Sequence, residues 1–235
     1  MIAIALAELR MLMRNRLVAL SAIGIPLGFA ALLIAARDTF GGAAVIAPLI
    51  VLAVTALGIY ITATTTLAAR RQSLFLKRLR STPVGDPGIL TGLLAPLLVV
   101  NAVQLAVILG VISVLGDPPA DPLGMVLGIL ALNALFLGFA IVTAGLTTSA
   151  EHAQFTTMPL FLLALGAGYW ITFTGTEELA VVKRLIPGGA AAELMTEAWR
   201  GIPAADMLPL LLPTLAWVVV GFLLTPRLFR WEPRR

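Results

Sequence analysis

The stretch LAARRQSLFLKRLRSTPVGDP, Leu67–Pro87, carries Arg70, Arg71, Lys77, Arg78 and Arg80. Almost everything around it is apolar. Residues 43–67 run into it and residues 89–115 leave it, and both lack Asp, Glu, Lys, Arg and His. A membrane-crossing helix needs about 20 mostly apolar residues, because each adds about 1.5 Å and the hydrocarbon layer is about 30 Å thick. The basic stretch therefore reads as a loop between two spans.

The same test finds four more segments, 17–36, 122–146, 155–174 and 207–229. The chain is 60% hydrophobic and only 12% charged, whereas soluble domains are about a quarter charged. These features predict an all-α membrane protein with six transmembrane helices. The charges ahead of residue 17 precede a full spanning length, so the N-terminus does not read as a cleaved signal peptide. No Cys is present, which excludes disulfides and thiolate metal sites.

With six spans, residues 1–16, 68–88, 147–154 and the C-terminal tail share one side and hold twelve Lys or Arg. The other side holds Arg37, Lys183, Arg184 and Arg200 against eight acids. Basic residues accumulate in cytoplasmic loops. The asymmetry predicts that both termini are cytoplasmic and assigns the high pI to membrane topology, not nucleic acid.

Three elements lie outside the spans. Ile2, Leu6, Leu9 and Met13 recur at helical spacing among Glu8, Arg10 and Arg14, which predicts an amphipathic surface helix over 1–16. On a helix over 68–80, Ala68, Gln72, Phe75, Leu76 and Leu79 share one face, and Leu74 falls among the cations. Pro83 ends that helix, since residues before proline avoid the α region. Residues 175–206 predict a helical hairpin dipping into the outer leaflet, with AAAELMTEAWRG, 190–201, as a helix ending at Gly201.

Chemistry-bearing motifs are sparse. His152 beside Glu151 is too small a set for a metal, which usually needs three or four ligands. No phosphate-cradling G-x-x-x-x-G-K-[ST] occurs, so no cofactor is expected on this chain. Asn101 and Gln104 share a helical face and fit either a translocation path or hydrogen bonding between spans. The basic loop by itself fits a lipid-phosphate anchor or a helix whose apolar stripe docks on a partner.

The chain resembles the ABC-2 type transporter permeases, the membrane subunits of bacterial ABC exporters with an ABCG-like membrane fold. The resemblance rests on AELRMLMRNRL (7–17), on the charged segment ending in L-R-S-T-P (Leu79–Pro83), on six spans with a long external segment before the last, and on LFRWEPR (228–234). Gln72-Ser73 departs from the Glu and Gly that many members carry. The resemblance implies one transmembrane domain over 1–235, in a multi-pass protein of the bacterial plasma membrane. Residues 1–16 would be a connecting helix, 68–83 a cytoplasmic coupling helix, and 178–200 external helices capping the exit.

It also implies a permease dimer, of one chain or two similar ones, with two separate ATPase subunits that bind the ATP and Mg. Arg70, Arg71, Phe75, Leu76, Arg78, Leu79, Arg80, Pro83 and Glu151 would then meet the ATPase. Thr55, Tyr60, Thr62, Asn101, Gln104, Phe161 and Phe173 become candidate path residues. The spans carry no charge, which suits apolar or amphipathic cargo such as a drug, an antibiotic or a lipid, and hence a role in multidrug efflux or antibiotic resistance. The alternatives are a scaffold or sensor module and a permease for lipid-linked polysaccharide. A stand-alone channel or a membrane enzyme is disfavoured, because no selectivity-filter motif and no acid/base pair appears.

Overall fold

The computed structural model describes residues 2–14, 16–81, 83–116, 118–229 and 231, and the side chains within them except Ile2, Ala3, Leu12, Met13, Leu17, Val18 and Ser21. The Ile2 and Met13 side chains of the expected N-terminal stripe, Thr82, and most of the 228–234 motif thus lie outside what is described. Among the described residues every regular element is a helix.

Helix α1 is Ile2–Arg14. Helix α2 follows as three consecutive pieces, Arg16–Ala19, the π-helical turn Leu20–Gly24, and Ile25–Ala35. Helix α3 is Ala43–Gln72, with a second π-helical turn at Ala56–Ile61. The rest are α4 (Phe75–Arg80), α5 (Asp86–Leu115), α6 (Pro122–Leu146), α7 (Ala150–Thr174), α8 (Ala180–Leu185), α9 (Gly189–Arg200) and α10 (Ala204–Leu228). Five of them, α3, α5, α6, α7 and α10, are long and apolar enough to cross a membrane, while Ala22–Ala35 is a shorter apolar helix. The architecture is consistent with an all-α, multi-pass membrane protein.

Local chemistry explains several ends. Asp121 Oδ1 accepts from Leu123 N at 3.1 Å, and Pro122 supplies the preset first turn of α6. Ser149 caps α7 by accepting from His152 N. Helix α9 closes on Gly201, whose φ of 105° is open to glycine.

Between helices in lipid, association rests on close packing and hydrogen bonds, not on exclusion of water, so small residues mark the contacts. Helix α6 is the clearest case. At Gly128 a Cβ would come within 2.7 Å of Met195 Cγ, and at Gly124 within 2.9 Å of Ala198 Cβ. The Gly124/Gly128 pair therefore seats α9. Gly145 lies against the Leu228 carbonyl and the Phe229 Cα, where α10 ends. The Gly24/Gly28 pair has no such role, since a Cβ on Gly28 would meet nothing within 4 Å.

Helix α9 departs from the expected outer hairpin. Residues 189–196 are all buried, and α9 packs against α3, α6, α7 and α10. Its Glu193 carboxylate takes Arg184 Nε and Nη2, both at 2.7 Å, and Thr176 Oγ1 at 2.9 Å. The hydrogen bonds to Glu193 raise the Arg184 pKa above its ordinary value. Lys183, 2% exposed, donates to Thr174 Oγ1 at 2.8 Å and Gly175 O at 2.6 Å, closing the end of α7. Its ammonium also lies 5.1 Å from the Trp170 ring centre.

Candidate functional site at the basic end

The basic stretch does not form one helix over 68–80. Helix α3 continues to Gln72, Leu74 takes a left-handed conformation (φ 57°, ψ 15°), and α4 restarts at Phe75. A branched side chain there costs about 1–2 kcal/mol. The corner is held by Leu74 N to Arg71 O at 3.0 Å, Ser73 Oγ to Arg70 O at 3.2 Å, and Arg78 Nη2 to Ser73 O at 3.2 Å. It turns Leu76 fully inward, with Phe75, Leu79 and Val84 packed against the same core. The apolar stripe expected to dock on a partner is thus occupied by the chain's own core. Leu74, Lys77 and Arg78 form the outward ridge.

Neighbouring arginines have different tasks. Arg71 is 2% exposed, and its Nη1 donates to the carbonyls of Ala144 and Thr147, where α6 ends. Carbonyls in the last turn of a helix lack helical donors, so a buried guanidinium satisfies them and favours the negative end of the dipole. Arg70, one 100° step round, donates to Glu8 at 2.8 Å and stacks 5.0 Å above Phe75, tying α1 to the corner. Arg80 reaches Asp86 at 3.1 Å and covers Trp231. Pro83 and Glu151 are exposed.

Beside this corner lies a groove of about 1120 Å³. Its walls are α1, the start of α2, the basic half of α3, the first part of α5 and the first turns of α7. Thr62, Thr65 and Thr66 line it from α3, Gln154, Thr157 and Met158 from α7, and Glu8, Arg14, Arg16 and Arg70 from its basic rim. Thr62 is the only one of the seven candidate path residues in its lining.

The other six sit elsewhere. Thr55 is buried. The Tyr60 hydroxyl meets Thr143 Oγ1 at 3.0 Å, and its ring stacks on Phe136. Asn101 Nδ2 donates to Val54 O, ahead of one π turn, and Gln104 Nε2 donates to Ala22 O and Ile23 O in the other, all at 3.3 Å. Switching from i→i+4 to i→i+5 pairing frees a carbonyl, and a side-chain amide supplies the missing donor. Gly58 makes room, since a Cβ there would lie 3.3 Å from Asn101 Nδ2. These amides join spans. Phe161 is half-buried against the core, and Phe173 is partly exposed, edge-on to Phe40.

Most of the groove was missed by the sequence reading. The run TATTT, Thr62–Thr66, just before Arg70, was its visible signal: three of its threonines fall on one side of α3. His152 bonds locally, to Thr148, Ser149 and Thr156. Among the described residues no cluster of three His, Asp or Glu forms that would hold a metal. No family model matches the chain, and no curated protein matches it.

Proposed function

We propose that the chain is the membrane-spanning permease subunit of an ATP-driven exporter of the ABC-2 type. On this reading α2 is the sixth span, both termini face the cytoplasm of a bacterium, and the groove is the inward-facing entry for apolar or amphipathic cargo. Two permease chains, identical or similar, pair with two ATPase subunits that carry ATP and Mg. The partly exposed Phe155, Leu162, Tyr169 and Phe173 of α7 offer an apolar face for the second chain.

The observation that carries the reading is the double attachment of the basic corner. Arg71 fixes it to the end of α6, and Arg70 fixes it to α1 through Glu8. The helix that bears both arginines also supplies Thr62, Thr65 and Thr66 to the groove. A push on Leu74 or Arg78 therefore moves a groove wall directly. This is the mechanical requirement for coupling ATPase closure to alternating access.

The test is extraction of the tagged chain from native membranes in mild detergent and identification of what co-purifies by mass spectrometry. The reading requires a P-loop ATPase near one-to-one, lost on Leu74→Asp. A homogeneous preparation without an ATPase, reproducible across detergents, sinks it and leaves the corner as a lipid anchor of a scaffold protein.

A further inference from the structure

The groove changes character along its length. Helix α3 runs toward the basic end, so Leu57 and Ile61 line the deep part, Thr62, Thr65 and Thr66 the middle, and Arg70 the rim. Leu57 to Arg70 spans about 20 Å at 1.5 Å per residue. One leaflet contributes about 15 Å of hydrocarbon. The groove is therefore one acyl chain and one headgroup long.

Its charge is one-sided. Arg14, Arg16 and Arg70 line it against a single carboxylate, Glu8. Glu8 is engaged by Arg70 at 2.8 Å, while Arg14 and Arg16 are exposed. Three of the four threonine hydroxyls that line it do not compete for an anion. Thr62 Oγ1 donates to Leu57 O at 2.8 Å, Thr65 Oγ1 to Ile61 O at 2.9 Å, and Thr157 Oγ1 to Ala153 O at 2.7 Å. With these protons given to their own helices, their oxygens face a ligand as acceptors only. The charged donors for an acidic group are thus concentrated at the arginine rim, Thr66 and Gln154 add neutral ones, and Leu57 and Ile61 suit a hydrocarbon chain.

We infer that the groove binds an anionic amphiphile, with its acidic headgroup between Arg14 and Arg16 and its hydrocarbon chain along α3 toward Leu57. This deepens the exporter reading by naming the class of molecule at the entry. It rests on that reading only for the amphiphile being cargo instead of a resident lipid.

The test titrates the full chain, in maltoside micelles without any ATPase, with phosphatidylglycerol and phosphatidylcholine carrying the same fluorescent tail. Two cations on one anionic headgroup give an expected preference for phosphatidylglycerol of about tenfold. Arg14→Gln with Arg16→Gln should reduce it below about threefold. Thr65→Trp, which fills the groove, should weaken both lipids, and Arg37→Gln at the far end should change neither. Should the double variant fail to fold, raising salt to about 0.5 M on the native chain replaces it, because exposed charges are screened there. Equal binding of the two lipids, a preference untouched by the double variant or by salt, or undiminished binding to Thr65→Trp overturns the proposal. Saturable stimulation of ATP hydrolysis by phosphatidylglycerol in the reconstituted complex identifies cargo, and binding without stimulation identifies a resident lipid. Because the titration contains no ATPase, its failure leaves the exporter reading standing, and the reverse holds.

Discussion

The two ends of the bundle handle charge in opposite ways. At the end containing α9, Lys183 closes the end of α7 and Arg184 grips Glu193 twice. There the charges hold the chain's own hairpin in place. At the basic end Arg71 has the same inward role, yet Arg14 and Arg16 remain exposed around an open groove. The first end pairs these charges internally, while Leu179, Val181 and Leu185 stay exposed beside them. The second leaves the positive charge of Arg14 and Arg16 facing outward.

The largest effect should come from the shared framework. Gly145→Val drives two methyl groups into the Leu228 carbonyl, where only backbone is available to yield. Overpacking of this kind costs about 3 kcal/mol, so detergent-stable protein should fall at least tenfold; near-normal yield would show that α6 and α10 are not locked there. Arg71→Met should lower stability by about 2–3 kcal/mol, since it strands buried carbonyls. Arg70→Met, which leaves the buried Glu8 carboxylate without its ion-pair partner but removes a cation that is itself a quarter exposed, should cost about 1–2 kcal/mol. Thermal unfolding in detergent orders the two, and equal shifts would show that the inward and outward arginines are held alike.

Phe75→Asp and Leu74→Asp sharpen the contrast within one corner. The first introduces a carboxylate against the core and should lower stability by about 2 kcal/mol. The second should leave folding unchanged within about 0.5 kcal/mol and, on the exporter reading, weaken only ATPase capture. If Leu74→Asp instead unfolds the chain, the outward ridge is structural. At the opposite end Glu193→Gln should cost about 1–2 kcal/mol by weakening the charge-assisted bonds to Arg184. The smallest effect is expected for Arg37→Glu. Its pair with Asp38 is 3.5 Å long and exposed, so a change in melting beyond about 2 °C would contradict its surface role.

Five of the six expected spans were legible because apolar runs and caps are local signals; the first, 17–36, contains only the shorter apolar helix Ala22–Ala35. Residues 122–146 match α6 through Asp121-Pro122, and 190–201 anticipates α9 (Gly189–Arg200) through Gly201. The departures are tertiary. Whether Arg70 or Arg71 turns inward depends on a 100° step and on where α6 ends. An Ala-rich helix such as α9 fits a leaflet surface or a bundle interior equally well, until Gly124 and Gly128 provide its seat. The break at Leu74 depends on hydrogen bonds from Ser73 and Arg78, which a periodicity count does not register. The groove escaped detection because its walls come from five separate helices, each contributing a few ordinary residues.

The π turn at Ala56–Ile61 also has a genetic meaning. An added residue in an α-helix rotates everything beyond it by about 100°, whereas a π turn absorbs the addition. Helix α3 therefore carries one residue more than a plain helix joining the same two faces would need. Loss of one codon between 56 and 61 should leave Thr62, Thr65 and Arg71 facing their present neighbours, at the expense of the amide bond from Asn101. The same loss a few codons to either side would rotate one half of the helix out of register. A scan of single-codon deletions along 44–72 should reveal one tolerant window, and that window should coincide with the π turn.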